Sequence, residues 1–237
     1  MKITYLNILM IFTFIFLVSV AYASDRTTKT YSYKDFTEVE VSSGMHLTVT
    51  QSNSYSIEVI ADQEDFKNLK VERDGNAVKF YFKHDFFSFN WGKHHKVEVN
   101  IKMPALTGTD LSGGSIGNIT MDVSSKKFNA DLSGGSTING NIKCGNIELE
   151  LSGGSVAEFS GNGKNLKVDG SGGSIFKLKN FNASDVDADL SGGSQVTITM
   201  NGTLNTEQSG GSHLTYYGKA ELGDTDFSGG SGVSRGH

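Results

Sequence analysis

Seven carboxylates recur at one position of this chain. Asp110, Asp131, Glu150, Asp169, Asp189, Glu207 and Asp226 each stand two residues before a Ser-Gly-Gly-Ser tetrapeptide. Glu40 holds the same place before a degenerate copy, Ser42-Ser43-Gly44-Met45. One residue before the motif come Leu111, Leu132, Leu151 and Leu190, and three before come Ala130, Leu149, Val168 and Ala188. Side chains alternate along a strand, so these apolar residues share an inward face and the carboxylates between them point outward. Stacked ~5 Å apart in parallel coils, neighbouring carboxylates repel by roughly 1 kcal/mol per pair in water. Such a column calls for compensation by cations, by Ser or backbone donors at the corner, or by raised pKa values. One reading is a strip for a divalent cation, with calcium the candidate, or for a cationic ligand. The other is a repeat device in which each carboxylate accepts hydrogen bonds from its own Gly-Gly corner. The spacing departs from the Gly-Gly-x-Gly-x-Asp calcium repeat, which weighs against calcium.

A second feature is the stretch His84-Asp85-Phe86-Phe87-Ser88-Phe89-Asn90-Trp91-Gly92-Lys93-His94-His95. Phe86, Phe87, Phe89 and Trp91 suit either an exposed contact loop or a plug over the end of a stack. Its three His and one Asp follow no spacing that enforces ligation, so no metal site is assigned. No Gly-x-Ser-x-Gly, phosphate loop or His-Glu-x-x-His occurs. Arg occurs only at 26, 73 and 235, and no site interrupts the regularity of the repeat. No catalytic residue is therefore assigned, and the reading is a non-enzyme.

The elements that must position these residues follow from the repeat. The motif begins at Ser112, Ser133, Ser152, Ser171, Ser191, Ser209 and Ser228, with spacings of 21, 19, 19, 20, 18 and 19 residues. Fourteen of the 29 Gly lie in these tetrapeptides, so the Gly excess marks corners and not a flexible linker. Five and seven residues beyond the first Ser come Ile138, Phe159, Phe176, Leu178, Val196, Ile198, Leu214 and Tyr216, the inward face of a second strand. Each unit reads as strand, Gly-Gly corner, strand and polar turn, the last exemplified by Gly161-Asn162-Gly163 and Asn201-Gly202. One such unit cannot bury its own apolar face, but a stack of them can. The expected fold is all-β: a parallel β-helix or solenoid, right-handed by the usual rule for parallel connections.

Three regions are expected. Residues 1–23 read as a signal peptide, with Lys2, an apolar run from Ile8 to Val20 and Ala21-Tyr22-Ala23 before the cut. Residues 24–104 form an N-terminal β region containing the degenerate coil and, from Ser52 to about Pro104, antiparallel strands that cap the stack. Residues 105–237 are the Ser-Gly-Gly-Ser solenoid. Only Gly232 to His237 follow the last motif, so self-association at the C-terminal coil is an expectation. The formal charge of -5 argues against a nucleic-acid partner. The single cysteine, Cys144, excludes a disulfide framework and reads as a packed small residue. No membrane span is expected once the leader is removed.

The opening Phe36-Thr37-Glu38-Val39-Glu40-Val41, then Leu47-Thr48-Val49-Thr50-Gln51 and Tyr55-Ser56-Ile57-Glu58-Val59, resembles a known bacterial family. Val97-Glu98-Val99-Asn100-Ile101-Lys102-Met103-Pro104 and the Gly-rich coils continue the resemblance, from about Tyr31 to Ser231. The family is called putative auto-transporter adhesin, head GIN domain. It implies an exported β-helical protein with an adhesive role, and supplies no catalytic residues. The expected function is an exported surface or periplasmic binding module for a glycan or protein. The alternatives are a carbohydrate-active enzyme on the same scaffold and a purely structural envelope protein.

Overall fold

The computed structural model describes residues 26–83, 96–121 and 126–237. The expected signal peptide, residues 1–23, and the aromatic segment carrying Phe86, Phe87, Phe89 and Trp91 lie outside these residues. The chain opens with β1 (Arg26–Tyr31), β2 (Glu38–Val41), β3 (His46–Gln51), β4 (Ser56–Asp62), β5 (Leu69–Asp74), β6 (Ala77–Phe82) and β7 (Glu98–Met103). The repeats follow as β8 (Gly108–Leu111), β9 (Ile116–Thr120), β10 (Lys127–Leu132), β11 (Thr137–Leu151), β12 (Val156–Gly170) and β13 (Ile175–Leu190). The last coils are β14 (Gln195–Met200), β15 (Thr203–Gln208), β16 (His213–Gly218), β17 (Glu221–Phe227) and β18 (Gly232–Arg235). A single 3-10 turn, Asp65–Lys67, is the only helical element among the described residues. None of their helices is long and apolar enough to cross a membrane.

Strands before the corners form one parallel ladder and strands after them form another. The first runs β6, β2, β8, β10, then the second halves of β11, β12 and β13, then β15 and β17. The second runs β7, β3, β9, the first halves of β11, β12 and β13, then β14, β16 and β18. Inward residues of both ladders meet in one continuous core, with Leu47, Leu111, Phe128, Phe176, Phe181 and Ile198 almost fully buried. The parallel solenoid expected from the repeat is thus the observed fold.

The corner chemistry explains the tetrapeptide. Its first Gly takes a left-handed φ in every copy, from +62° at Gly113 to +71° at Gly229, where a side chain is disfavoured. Its last Ser turns into the core: Ser115, Ser136, Ser155, Ser174, Ser194 and Ser212 are fully buried. Each Oγ donates to the carbonyl of the first Ser of its own corner, at 2.6 to 2.9 Å. A buried hydroxyl must be satisfied, and the acceptor within reach is the carbonyl across its own corner. In two corners that carbonyl also accepts the backbone N–H of the same Ser, Ser155 to Ser152 at 3.3 Å and Ser194 to Ser191 at 3.4 Å.

Two sequence expectations need correction. Gly161-Asn162-Gly163 is no separate turn; it lies inside the continuous strand β12, where Gly161 at φ +118° and a register shift after Glu158 bend the backbone without breaking the ladder. Of the segments between Ser52 and Pro104, only part is antiparallel. β4 runs antiparallel to β1 and β7, and β5 antiparallel to β6. β6 and β7 instead pair in parallel with β2 and β3, adding a further layer beneath the degenerate coil. The chain therefore lays down β2 and β3 first and returns to place β6 and β7 below them. A period-2 apolar pattern fits either strand direction, so the pattern alone did not distinguish them.

Candidate functional site

The carboxylates stand in one unbroken register. Across the first ladder, Cα partners run Lys79, Glu40, Asp110, Asp131, Glu150, Asp169, Asp189, Glu207 and Asp226. From Asp110 to Glu207 they point outward because the residues on either side of each are buried: Leu or Ala beside Asp131, Glu150 and Asp189, but Thr109, Val168, Gly170, Thr206 and Gln208 beside others. A shallow groove of about 330 Å³ runs beside the last three, bounded by Asp189, Ser191, Glu207, Ser209, Asp226 and Ser228.

Compensation comes from lysines. At the N-terminal end Lys79 Nζ stands 3.1 Å from Glu40 and 2.9 Å from Asp74, which together raise the ammonium pKa, Asp74 contributing most. In the middle Lys167 Nζ lies 2.7 Å from Asp169 and 3.6 Å from Glu148, while Lys127 reaches Glu148 at 3.0 Å. Lys127 holds the Glu148 carboxyl below its ordinary range. No hydrogen bond from a corner hydroxyl or amide to a column carboxylate is formed among the described residues, and the last Ser gives its hydroxyl to the carbonyl of its own corner. Lys79 and Lys167 lie outside the residues singled out from sequence. The signal for Lys79 was the pattern Val78-Lys79-Phe80, which repeats Val39-Glu40-Val41 with the charge reversed.

The remaining repulsion appears as raised pKa values. Desolvation, then Asp131 and Glu40, push the Asp110 carboxyl up to about 6 against the pull of Lys79. Glu150 is raised by desolvation, then by Asp169, Asp131 and Glu148. Asp189 is raised by desolvation, then by Asp169, Asp187 and Glu207. A carboxyl whose folded pKa exceeds its unfolded value binds its proton more tightly when folded. Its stabilising contribution is complete below the unfolded pKa and is lost as pH rises through the folded one. Stability should therefore fall from pH 4 to pH 6 on account of Asp110. Asp110→Asn should flatten that slope and stabilise the chain at pH 7 by about 1 kcal/mol, a figure discounted because the carboxylate keeps solvent contact. Chemical denaturation at pH 4, 5, 6 and 7 checks this; an unchanged slope in the variant would refute it.

Glu148, Glu150 and Asp169 bring carboxylate oxygens within 4.8 Å of one another, a spacing that a cation could bridge. The Lys167 ammonium already sits against two of the three. The fit to calcium is accordingly poor there, because binding would have to displace an ion pair.

A parallel β-solenoid with a charged outward ladder and a continuous apolar core defines the class: a stacked β-repeat scaffold. The family model described as putative auto-transporter adhesin, head GIN domain, matches residues 35–220, and the chain belongs to that family. A putative adhesin from Bacteroides fragilis shares the fold with a TM-score of 0.77 at 13% identity, covering 90% of this chain and 98% of its own. A putative lipid binding protein from Parabacteroides distasonis has a TM-score of 0.68 at 14% identity, covering 90% and 97%. A putative adhesin from Parabacteroides merdae has a TM-score of 0.67 at 15% identity, again covering 90% and 97%. No curated protein sequence is similar beyond chance.

Proposed function

We propose that this protein is an exported adhesion or binding module, working at the cell surface, in the periplasm or as a secreted protein, and without catalysis. Its contact face is the outward side of the first ladder, with Asp110, Asp131, Glu150, Asp169, Asp189, Glu207 and Asp226 as the contact column. The observation that carries this reading is the unbroken register of that column on a rigid stack. Repeated outward positions suit an extended ligand, a glycan or protein bearing amino or guanidinium groups, better than a small substrate held in a pocket. Membership of an adhesin-named family supports the same reading.

The test is to incubate the purified chain with a glycan and matrix-protein array, with and without millimolar calcium. Binding without new reducing ends, weakened by salt and indifferent to calcium, is the expected result. New reducing ends would establish a carbohydrate-active enzyme instead. Silence across the array would leave a structural envelope role.

A further inference from the structure

The charge of this chain is distributed unevenly along the stack. Residues 181–237 carry seven carboxylates, Asp185, Asp187, Asp189, Glu207, Glu221, Asp224 and Asp226, against Lys219 and Arg235. Their formal charge of -5 equals that of the entire chain. Among the described residues, none lays apolar cover over the same end of the solenoid. Leu222 is 56% exposed and Phe227 is 42% exposed, although both occupy core-facing positions of their ladder. β17 pairs with β15 and β18 with β16, and among the described residues neither has a neighbour on its other side. The last coil thus offers unpaired backbone donors and acceptors, an apolar centre and an acidic rim made by Glu221, Asp224 and Asp226 of β17.

The opposite end shows how this chain closes such an edge. β6 pairs in parallel with β2, placing Lys79 against Glu40 and Phe80 against Val41. Its alternation of apolar residues with a lysine satisfies the ladder, covers the core and neutralises the terminal carboxylate together. At the C-terminal end, Asp226 and Phe227 stand where Glu40 and Val41 stand at the other, and among the described residues no strand pairs beyond them.

We infer that the C-terminal coil is a docking edge for an extended segment of a partner protein. That segment alternates apolar and basic residues, adding as a strand to β17 with a lysine or arginine opposite Asp226. Two copies meeting through this end would bring two such acidic rims together, so the occupant is a different, basic chain. Strand addition of this kind takes affinity from main-chain hydrogen bonds and selectivity from alternate side chains. This end-on contact goes beyond the ligand face proposed above, and a silent array would not bear on it.

The probe is the synthetic peptide of residues 76–83, Asn-Ala-Val-Lys-Phe-Tyr-Phe-Lys, which contains β6. Its control carries Glu in place of both lysines. With the full chain, fluorescence polarisation should show binding of the first peptide and about tenfold weaker binding of the second. Asp226→Lys should invert that preference. Glu58→Lys, an exposed site on β4 that changes the net charge equally, should leave it intact. Circular dichroism verifies that both variants are folded. Equal binding of the two peptides, no binding of either, or inversion by Glu58→Lys would each overturn the inference. So would a concentration-dependent dimer, abolished by Asp226→Lys, in sedimentation velocity.

Discussion

Gly210→Ala should destabilise the protein by about 3 kcal/mol, whereas Gly211→Ala, one residue along the same corner, should leave stability within ~0.5 kcal/mol. Gly210 sits at φ +71°, and a Cβ there would lie 2.6 Å from the Gly192 carbonyl oxygen and 3.2 Å from the Gly192 nitrogen. Two penalties combine. A left-handed backbone costs a residue with a side chain about 1–2 kcal/mol. Forcing an extra carbon against the backbone of the coil beneath costs a further 1–3 kcal/mol, because a stacked corner cannot retreat without breaking its ladder. Gly211 has neither problem: its φ lies outside the left-handed region, and its Cβ would meet Gly192 O at an ordinary 3.7 Å. Urea denaturation of the pair checks this, with hydrogen exchange to locate the loss. Since each coil contacts only its neighbours, protection should fall first around β15, β16, β17 and β18. Similar losses in the two variants would show that the tetrapeptide is conserved in register for some reason other than its corner.

That contrast also marks how far the sequence could be read. The corners, the inward columns and the outward acidic column were legible because a repeat states the same relation seven times, so chance coincidences at one copy cancel. The N-terminal layer was not legible in the same way. β6 and β7 occupy a layer whose two strands are joined through residues 84–95, with no Ser-Gly-Gly-Ser between them, so the marker of a coil is missing. Lys79 and Lys167 stand out less for a related reason: Lys79 is a single departure from its column, Lys167 sits in a row of mixed type (Asn129, Glu148, Asp187, Asn205), and only the stacking register shows which carboxylates each meets. Position alone leaves open whether a corner hydroxyl serves the outward carboxylate or the inward carbonyl. Burial decides that, since an unsatisfied core hydroxyl costs more than an unbonded carboxylate in water.

One irregularity in the repeat is a swap between two positions, and it yields a double-mutant cycle with a large coupling. The residue before the motif is Leu in four corners but Gly170 in the fourth copy, and the fifth residue after the first Ser there is Phe176. A Cβ on Gly170 would stand 2.8 Å from Phe176 Cε2, so the ring fills the volume that leucine fills elsewhere. The preceding corner solves the same space the other way, with Leu151 and Ala157. Gly170 has no left-handed φ to protect, so its constraint is packing alone. Phe176→Ala should cost about 4 kcal/mol, since a fully buried ring leaves a cavity that a stacked ladder cannot collapse. Gly170→Leu should cost about 2 kcal/mol by overpacking against that ring and against Leu190, whose Cδ2 lies 3.0 Å from the new Cβ. The double variant imports the neighbouring coil's arrangement and should lose only about 3 kcal/mol in total, a coupling of about 3 kcal/mol between the sites. Urea unfolding of the four proteins measures it. Additive losses of about 6 kcal/mol would mean that Phe176 is held by its own coil's geometry and does not substitute for the missing leucine. Recovery in the double variant would instead establish that core volume is conserved coil by coil and can be supplied from either ladder.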